Sequence, residues 1–289
     1  MPQQEGFRSR TRHAVLLTVV IGIPLAMLGY RHNLDVAAKD GPAEAFPMES
    51  HPAVAANVNV TPVLVELFTS EGCSDCPPAD ALLAHLQQDQ PVPSANIIAL
   101  EEHVDYWDHL GWRDPFSSRE ATERQGAYTQ RLHLDDNYTP QMIVDGTDQF
   151  VGSDSAHALR AITSAARISK LAITLFRINF AGSHASGTVS VSANPAPPSN
   201  ADLYAALIQR SATTNVLRGE NGGHTLHHIS TVLSLQKIGE LHKAATPISF
   251  SLNVPQNDSP ANLGVVVFTQ QPGNGAILGV ASSTMSSAH

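Results

Sequence analysis

Apolar positions along this 289-residue chain change their spacing twice, and each change predicts a different kind of structure. The first apolar stretch, Ala14–Leu28, is a run preceded by Arg8, Arg10 and Arg12. Between 61 and 168, runs of strand length alternate with helical spacing. Val63–Phe68, interrupted only by Glu66, is β-rich and nearly continuous, as a strand covered on both faces requires. Pro77 to Leu86 opens with proline and then spaces apolar residues as a helix does. Ile97–Leu100 predicts a second buried strand, and Ser117–Leu132 contains a helical stretch. Pro140 precedes the apolar Met142–Val144, which Asp145-Gly146 folds back into Gln149–Val151, and Ala156–Ala166 supplies a closing helix.

After residue 169 the pattern shortens. Leu171–Phe180, Gly187–Ser192, Leu203–Gln209, Ile248–Val254 and Leu263–Thr269 are alternating or apolar runs separated by turn clusters such as Asn194–Pro198, with a further hairpin strand within 273–280. That pattern predicts an antiparallel, β-sandwich-like domain over 169–289.

The opening run reads as an address. Three arginines ahead of fifteen apolar residues form an export signal over 1–30, either cleaved at a small-residue site ending at Ala38 or Ala45 or retained as a single N-terminal membrane anchor. Both place the remainder in the periplasm or on the outer face of the inner membrane. Residues 31–60, rich in Ala, Pro, Asn and Glu, read as a tether. The formal charge is −9, and no basic run survives beyond the leader, which argues against nucleic acid as a partner. No phosphate-cradling glycine loop or serine-nucleophile elbow appears, and no cofactor is implied.

Cys73 and Cys76 are the only cysteines. A disulfide staple would span more of the chain; a ring this short is worth roughly 2 kcal/mol against about 3 for fifteen residues. Redox chemistry and metal binding are the alternatives. Standing where a strand turns into a helix, Cys73 meets exposed N–H groups that favour a thiolate, so Cys73 reads as nucleophile and Cys76 as resolving thiol, while Glu71 and Asp75 oppose that effect. Both sulfurs are expected at an accessible spot. The stretch His224, His227 and His228 argues against a three-histidine metal site, because on a regular strand His224 and His228 share a face that His227 does not.

The order β-α-β-α-(Pro)-β-β-α, with C-x-x-C opening the first helix, resembles the thioredoxin fold over 61–168. The stretches Val65–Asp80, His103–Asp108, Gly111-Trp112 with Asp114–Phe116, and Tyr138–Met142 with Val144–Gly146 resemble an exported bacterial family, domain of unknown function 1223. The thioredoxin resemblance implies a cis bond at Thr139-Pro140 beside the cysteines, Glu66 as the buried carboxylate that takes the resolving thiol's proton, and protein thiols or disulfides as partners. Trp107, His103 and Asp105 would line a substrate groove in the loop after the second strand. The leading expectation is thus an exported thiol-disulfide oxidoreductase. The alternatives are soft-metal (copper) binding through the two thiolates with His103 or His224, and a non-catalytic binding module.

Overall fold

The structure, a computed structural model, describes residues 60–192, 200–241, 247–255 and 259–283. The export segment expected at 1–30 and the tether at 31–60 lie outside these residues, Val60 excepted. Strand β1 (Thr61–Thr69) leads into α1 (Pro77–Asp89), followed by β2 (Ala95–His103), α2 (Arg119–Arg131), the hairpin β3 (Gln141–Val144) and β4 (Asp148–Val151), and α3 (Ser155–Ala165). Then come β5 (Ile173–Ala181), β6 (His184–Val191), β7 (Ala201–Asn215), β8 (Thr225–Leu241), β9 (Ile248–Asn253), β10 (Leu263–Gln270) and β11 (Ile277–Ser282).

These elements do not form the expected thioredoxin-like α/β domain followed by a β-sandwich-like domain. The fold is mostly β: one eight-stranded mixed sheet in the order β11-β10-β7-β8-β2-β1-β3-β4, and one three-stranded sheet, β5-β6-β9. The difference comes from β8, a 17-residue strand that the hydrophobic pattern does not reveal because its buried positions include His228, Ser230 and Thr231. It lies parallel to β2 and antiparallel to β7, so both halves of the chain share a sheet.

Strand alternation sorts the interior. Val63, Val65, Leu67, Ile97 and Ala99 face α1 and α3, whereas Leu64, Ile98 and Leu100 face a second core shared with Ala206, Val266, Phe268 and Ile277. The eight-stranded sheet therefore curls until β1 and β2 pack against β7, β10 and β11. The three-stranded sheet covers the other face of β7 and β10 through Leu203, Leu207, Val265, Phe250 and Leu252.

At the seam, β2 and β8 share a single ladder position, Glu101 opposite Thr231. Ahead of it, side chains from the end of α1 replace a neighbouring strand. Gln87 Oε1 accepts from Ala99 N at 2.9 Å, and Gln90 Oε1 accepts from Ile97 N at 2.7 Å. Backbone groups buried at the splayed edge are thereby satisfied.

The curl is pinned at the β3–β4 turn. Asp145 Oδ1 accepts from Leu64 N at 3.0 Å, its carbonyl accepts from Ile277 N at 2.9 Å, and Oδ2 lies 2.7 Å from Lys170 Nζ in a buried ion pair. Removing one partner strands the other charge away from water, so Asp145→Ala is expected to cost about 3–5 kcal/mol, read as a lower urea midpoint. A loss under 1 kcal/mol would show that the pair does not pin the sheet.

Candidate functional site

The cysteine loop grows from the end of β1. After Thr69 the chain turns through Ser70–Gly72, and Cys73 and Cys76 are joined in a disulfide. Cys76 is itself the N-cap of α1, and Pro77 and Pro78 occupy its first positions. Prolines carry no N–H, and the next two N–H groups, of Ala79 and Asp80, donate to the Cys76 carbonyl at 2.8 and 3.1 Å. The first turn of α1 thus withholds the donors that the sequence reading expects to favour a thiolate.

Nor is the pair accessible. Cys73 is 1% and Cys76 0% exposed. The cover is the turn between β7 and β8. Asn221, itself buried, donates from Nδ2 to the carbonyls of Glu71 and Cys73, both at 2.9 Å, and Ser74 N donates to Glu220 Oε2 at 3.0 Å. The turn fits closely, since a Cβ on Gly219 would stand 3.0 Å from Trp112 Cβ, and Gly219 has φ +79°. Sequence reasoning missed this cover because it belongs to the half of the chain expected to form another domain.

The other expected site residues separate into two groups. Thr139-Pro140 is cis. Its surroundings meet the cysteine loop: a Cβ on Gly152 would come within 3.1 Å of Pro140 Cβ and 3.0 Å of Ala79 Cβ. Trp107 Nε1 donates to Thr139 Oγ1 at 2.8 Å, and a Cβ on Gly72 would stand 3.1 Å from Trp107 Cβ, so Trp107 links the proline loop to the turn before Cys73.

Asp105 turns instead to α2, accepting from Thr122 Oγ1 at 2.6 Å. Glu66 lies on the sheet face opposite α1, where it accepts from Arg124 Nε and Tyr128 Oη, both at 2.6 Å. Burial and the neighbouring Glu66 hold Glu102 well above the usual carboxylate range against the pull of Arg124. A cleft on that side, lined by Glu102, Arg124, Tyr204 and Ser234, belongs to this cluster.

His103 ends β2 rather than sitting in a loop, and it is buried. By strand alternation it shares the α1 face with Glu101, and His228 of β8 joins them. His103 Nδ1 is 2.7 Å from Asp114 Oδ2, and His228 Nδ1 is 3.0 Å from Glu101 Oε1. His227 is exposed, and His224 lies in the turn before β8 with Nδ1 3.2 Å from the Asn221 carbonyl.

Burial alone would lower both imidazole pKa values. For His103 the Asp114 charge and hydrogen bond overcome it, and for His228 the carboxylates of Glu101 and Glu71 push the value up to about 10. Burial and then the Glu101 charge raise Asp80 to about 7, while its Oδ1 accepts from Thr69 Oγ1 at 2.7 Å. Burial also works against the Asp114 carboxylate, but His103 and the N–H groups of Glu71 and Phe116 hold it below its ordinary value. A carboxylate and an imidazole two apart on a buried strand, Glu101 and His103 on one face, are the sequence signal for this cluster; without β8 in place, its third member had no address.

The family described as protein of unknown function (DUF1223) matches residues 64–270, spanning both the cysteine loop and its cover. The chain belongs to the DUF1223 family. Among solved structures, this DUF1223 chain resembles protein AGR_C_4864 from Agrobacterium tumefaciens at 27% identity and TM-score 0.60, covering 80% of this chain and 97% of that one. It also resembles HBP35 of Porphyromonas gingivalis at 17% identity and TM-score 0.55, covering 80% and 77%, a likeness of fold. No curated protein matches.

Asn221→Ala removes two buried hydrogen bonds from the cover. At about 1 kcal/mol or more lost in the closed state, reduction of the disulfide by a small phosphine is expected to run roughly tenfold faster. An unchanged rate would mean that the cover does not control access.

Proposed function

We propose that this DUF1223 chain is an exported thiol-disulfide oxidoreductase whose Cys73–Cys76 couple works from beneath a cover that lifts. The observation that carries this reading is the joining of the only two cysteines in a four-residue ring under a turn held to it by the side chain of Asn221. So short a ring is a poor staple. Two net hydrogen bonds hold Asn221 in place with about 1–3 kcal/mol, so an open state near 1% is affordable for a gated reaction. The arginine-led apolar run at Ala14–Leu28 supports delivery to an oxidising compartment, by a cleaved signal or a retained anchor.

The chemistry starts from the oxidised state. With the cover lifted, a thiolate of a protein substrate attacks Cys73 Sγ, the bond to Cys76 breaks, and Cys76 leaves as a thiolate. A second substrate thiolate attacks the substrate sulfur of the mixed disulfide and releases Cys73. The substrate departs with a disulfide, and the couple holds its two electrons. The same steps in reverse reduce a substrate disulfide. Cys73 is assigned as the attacked sulfur because Asn221 of the cover bonds to its carbonyl, so lifting the cover frees the Cys73 side of the ring, whereas Cys76 caps α1.

Glu71, Asp75 and Glu220 add negative charge beside the pair, and the two prolines withhold helix donors. Both effects disfavour thiolates and so favour the disulfide. The couple is therefore expected to have a potential near or below about −270 mV, that of a reductant; a value as high as about −180 mV would overturn this charge argument.

Cys76→Ser should accumulate mixed disulfides as the Cys73 thiolate attacks disulfides of exported proteins and displaces one substrate thiolate, seen as reducible adducts on gels, and more of them when combined with Asn221→Ala. If neither variant yields an adduct, the exchange reading fails.

A further inference from the structure

Below the cysteine loop, three buried side chains turn donor atoms toward a common point. Glu101, His103 and His228 each offer one atom, and these lie within 4.8 Å of one another. Glu101 Oε1 stands 3.0 Å from His228 Nδ1 and 3.9 Å from His103 Nε2. Donors on a tetrahedral ion with bonds of about 2.0–2.1 Å are separated by about 3.3 Å, so these spacings need only small rotations.

Each of the three is braced from behind. His103 presents its other nitrogen to Asp114, and His228 turns Nε2 toward Glu71 Oε1 at 3.3 Å. Glu101 Oε2 accepts from Ile229 N at 2.9 Å and Thr231 Oγ1 at 3.3 Å, which leaves Oε1 to face the histidines. Carboxylates behind imidazoles are the outer layer that metal-binding histidines use to fix orientation and raise basicity.

Protein groups alone leave this arrangement incomplete. His103 Nε2 is fully buried and makes no hydrogen bond, although it points at Glu101. An orphaned buried polar atom costs about 1–3 kcal/mol. Four buried carboxylates, Glu71, Asp80, Glu101 and Asp114, surround the two histidines, and among the described residues no lysine or arginine pairs with any of them. We propose that Glu101 Oε1, His103 Nε2 and His228 Nδ1 bind a divalent first-row transition ion of the zinc class, which locks β8 to β2 at their single shared ladder position. Two imidazoles and one carboxylate select such an ion over calcium or magnesium, which take oxygen ligands. Asp80, at the edge of the cluster, lines a surface cleft with Leu226 and His227 and marks the way in. The inference is independent of the redox reading, since it uses neither cysteine.

The test is zinc binding by the metal-stripped full chain, followed by competition with a chromophoric chelator and by the visible spectrum of the cobalt form. One tightly held zinc per chain, a raised Tm and a tetrahedral cobalt spectrum are expected. Glu101→Gln and His103→Gln should each weaken binding by at least about 100-fold, and Asp114→Asn by about 10–100-fold. The Cys73→Ser, Cys76→Ser double variant should bind as the parent does. Should Glu101→Gln or His103→Gln fail to fold, Asp114→Asn carries the test, because it leaves all three donors in place. The proposal is overturned if the parent chain retains no zinc, if binding survives unchanged in the Glu101, His103 and Asp114 variants and so belongs to surface histidines, or if it vanishes with the cysteines.

Discussion

The carboxylate of Glu101 joins β2 to β8, the point at which the two halves of the chain enter one sheet. Strands β2 and β8 meet at one ladder position, too little backbone pairing to fuse a mixed sheet, and the Glu101 side chain supplies the remaining bonds: to the backbone of Ile229, to the Thr231 hydroxyl and to His228. A buried carboxylate is costly unless each oxygen finds partners, and here all of them come from β8. The same residue that creates a desolvation problem on β2 is thus satisfied only when the C-terminal half docks. Ahead of it, Gln87 and Gln90 occupy the gap where the strands diverge. The seam is polar, and that polarity fixes its register: a one-residue slip of β8 would turn His228 and Thr231 away from Glu101.

Alternation along β1 and β2 places two buried polar clusters back to back. On the α2 face, Glu66, Glu102, Arg124, Tyr128 and Gln270 form a set built around one cation, in which Gln270 Nε2 donates to Tyr128 Oη at 2.8 Å and Arg124 reaches both Glu66 and Gln270. The planar Arg124 guanidinium supplies directed donors to it. On the α1 face, carboxylates outnumber imidazoles and a ring nitrogen stands unbonded. The first cluster has the features of a structural network; the second has those of a site. Apolar spacing alone does not distinguish them, because Glu66 on β1 and the adjacent Glu101 and Glu102 on β2 are all acids in otherwise apolar strands.

What was legible follows from local rules. The β1 run, the proline opening of α1, the β3–β4 hairpin through Asp145-Gly146 and the closing helix α3 all appear where apolar period and turn residues put them. These are short-range signals. The sheet that assembles them is not short-range. β8 packs Val232, Leu233, Leu235 and Ile238 into the apolar cores, but its opening stretch buries His228, Ser230 and Thr231, and there the segment that joins β2 hides behind its interaction with Glu101. Glu66 precedes the cysteines in sequence, but pleating turns it to the far face, while Glu71, Asp80 and Glu101 gather on the α1 side. The cover was hidden as well, since nothing near Asn221 in sequence points to a partner 148 residues away.

Glu71 is where the two features on the α1 side become one structure. Its carbonyl accepts from Asn221, which covers Cys73; its Oε2 accepts from Trp112 Nε1 at 2.7 Å, against which Gly219 of the cover packs; and its Oε1 faces His228. A displacement of the cover pulls on the Glu71 backbone, and a change in what His228 carries acts on the Glu71 carboxylate. Burial makes both connections effective, because a fully buried carboxylate is weakly screened. The disulfide thus lies between the β7–β8 turn and the histidine and carboxylate cluster, with one glutamate in contact with both.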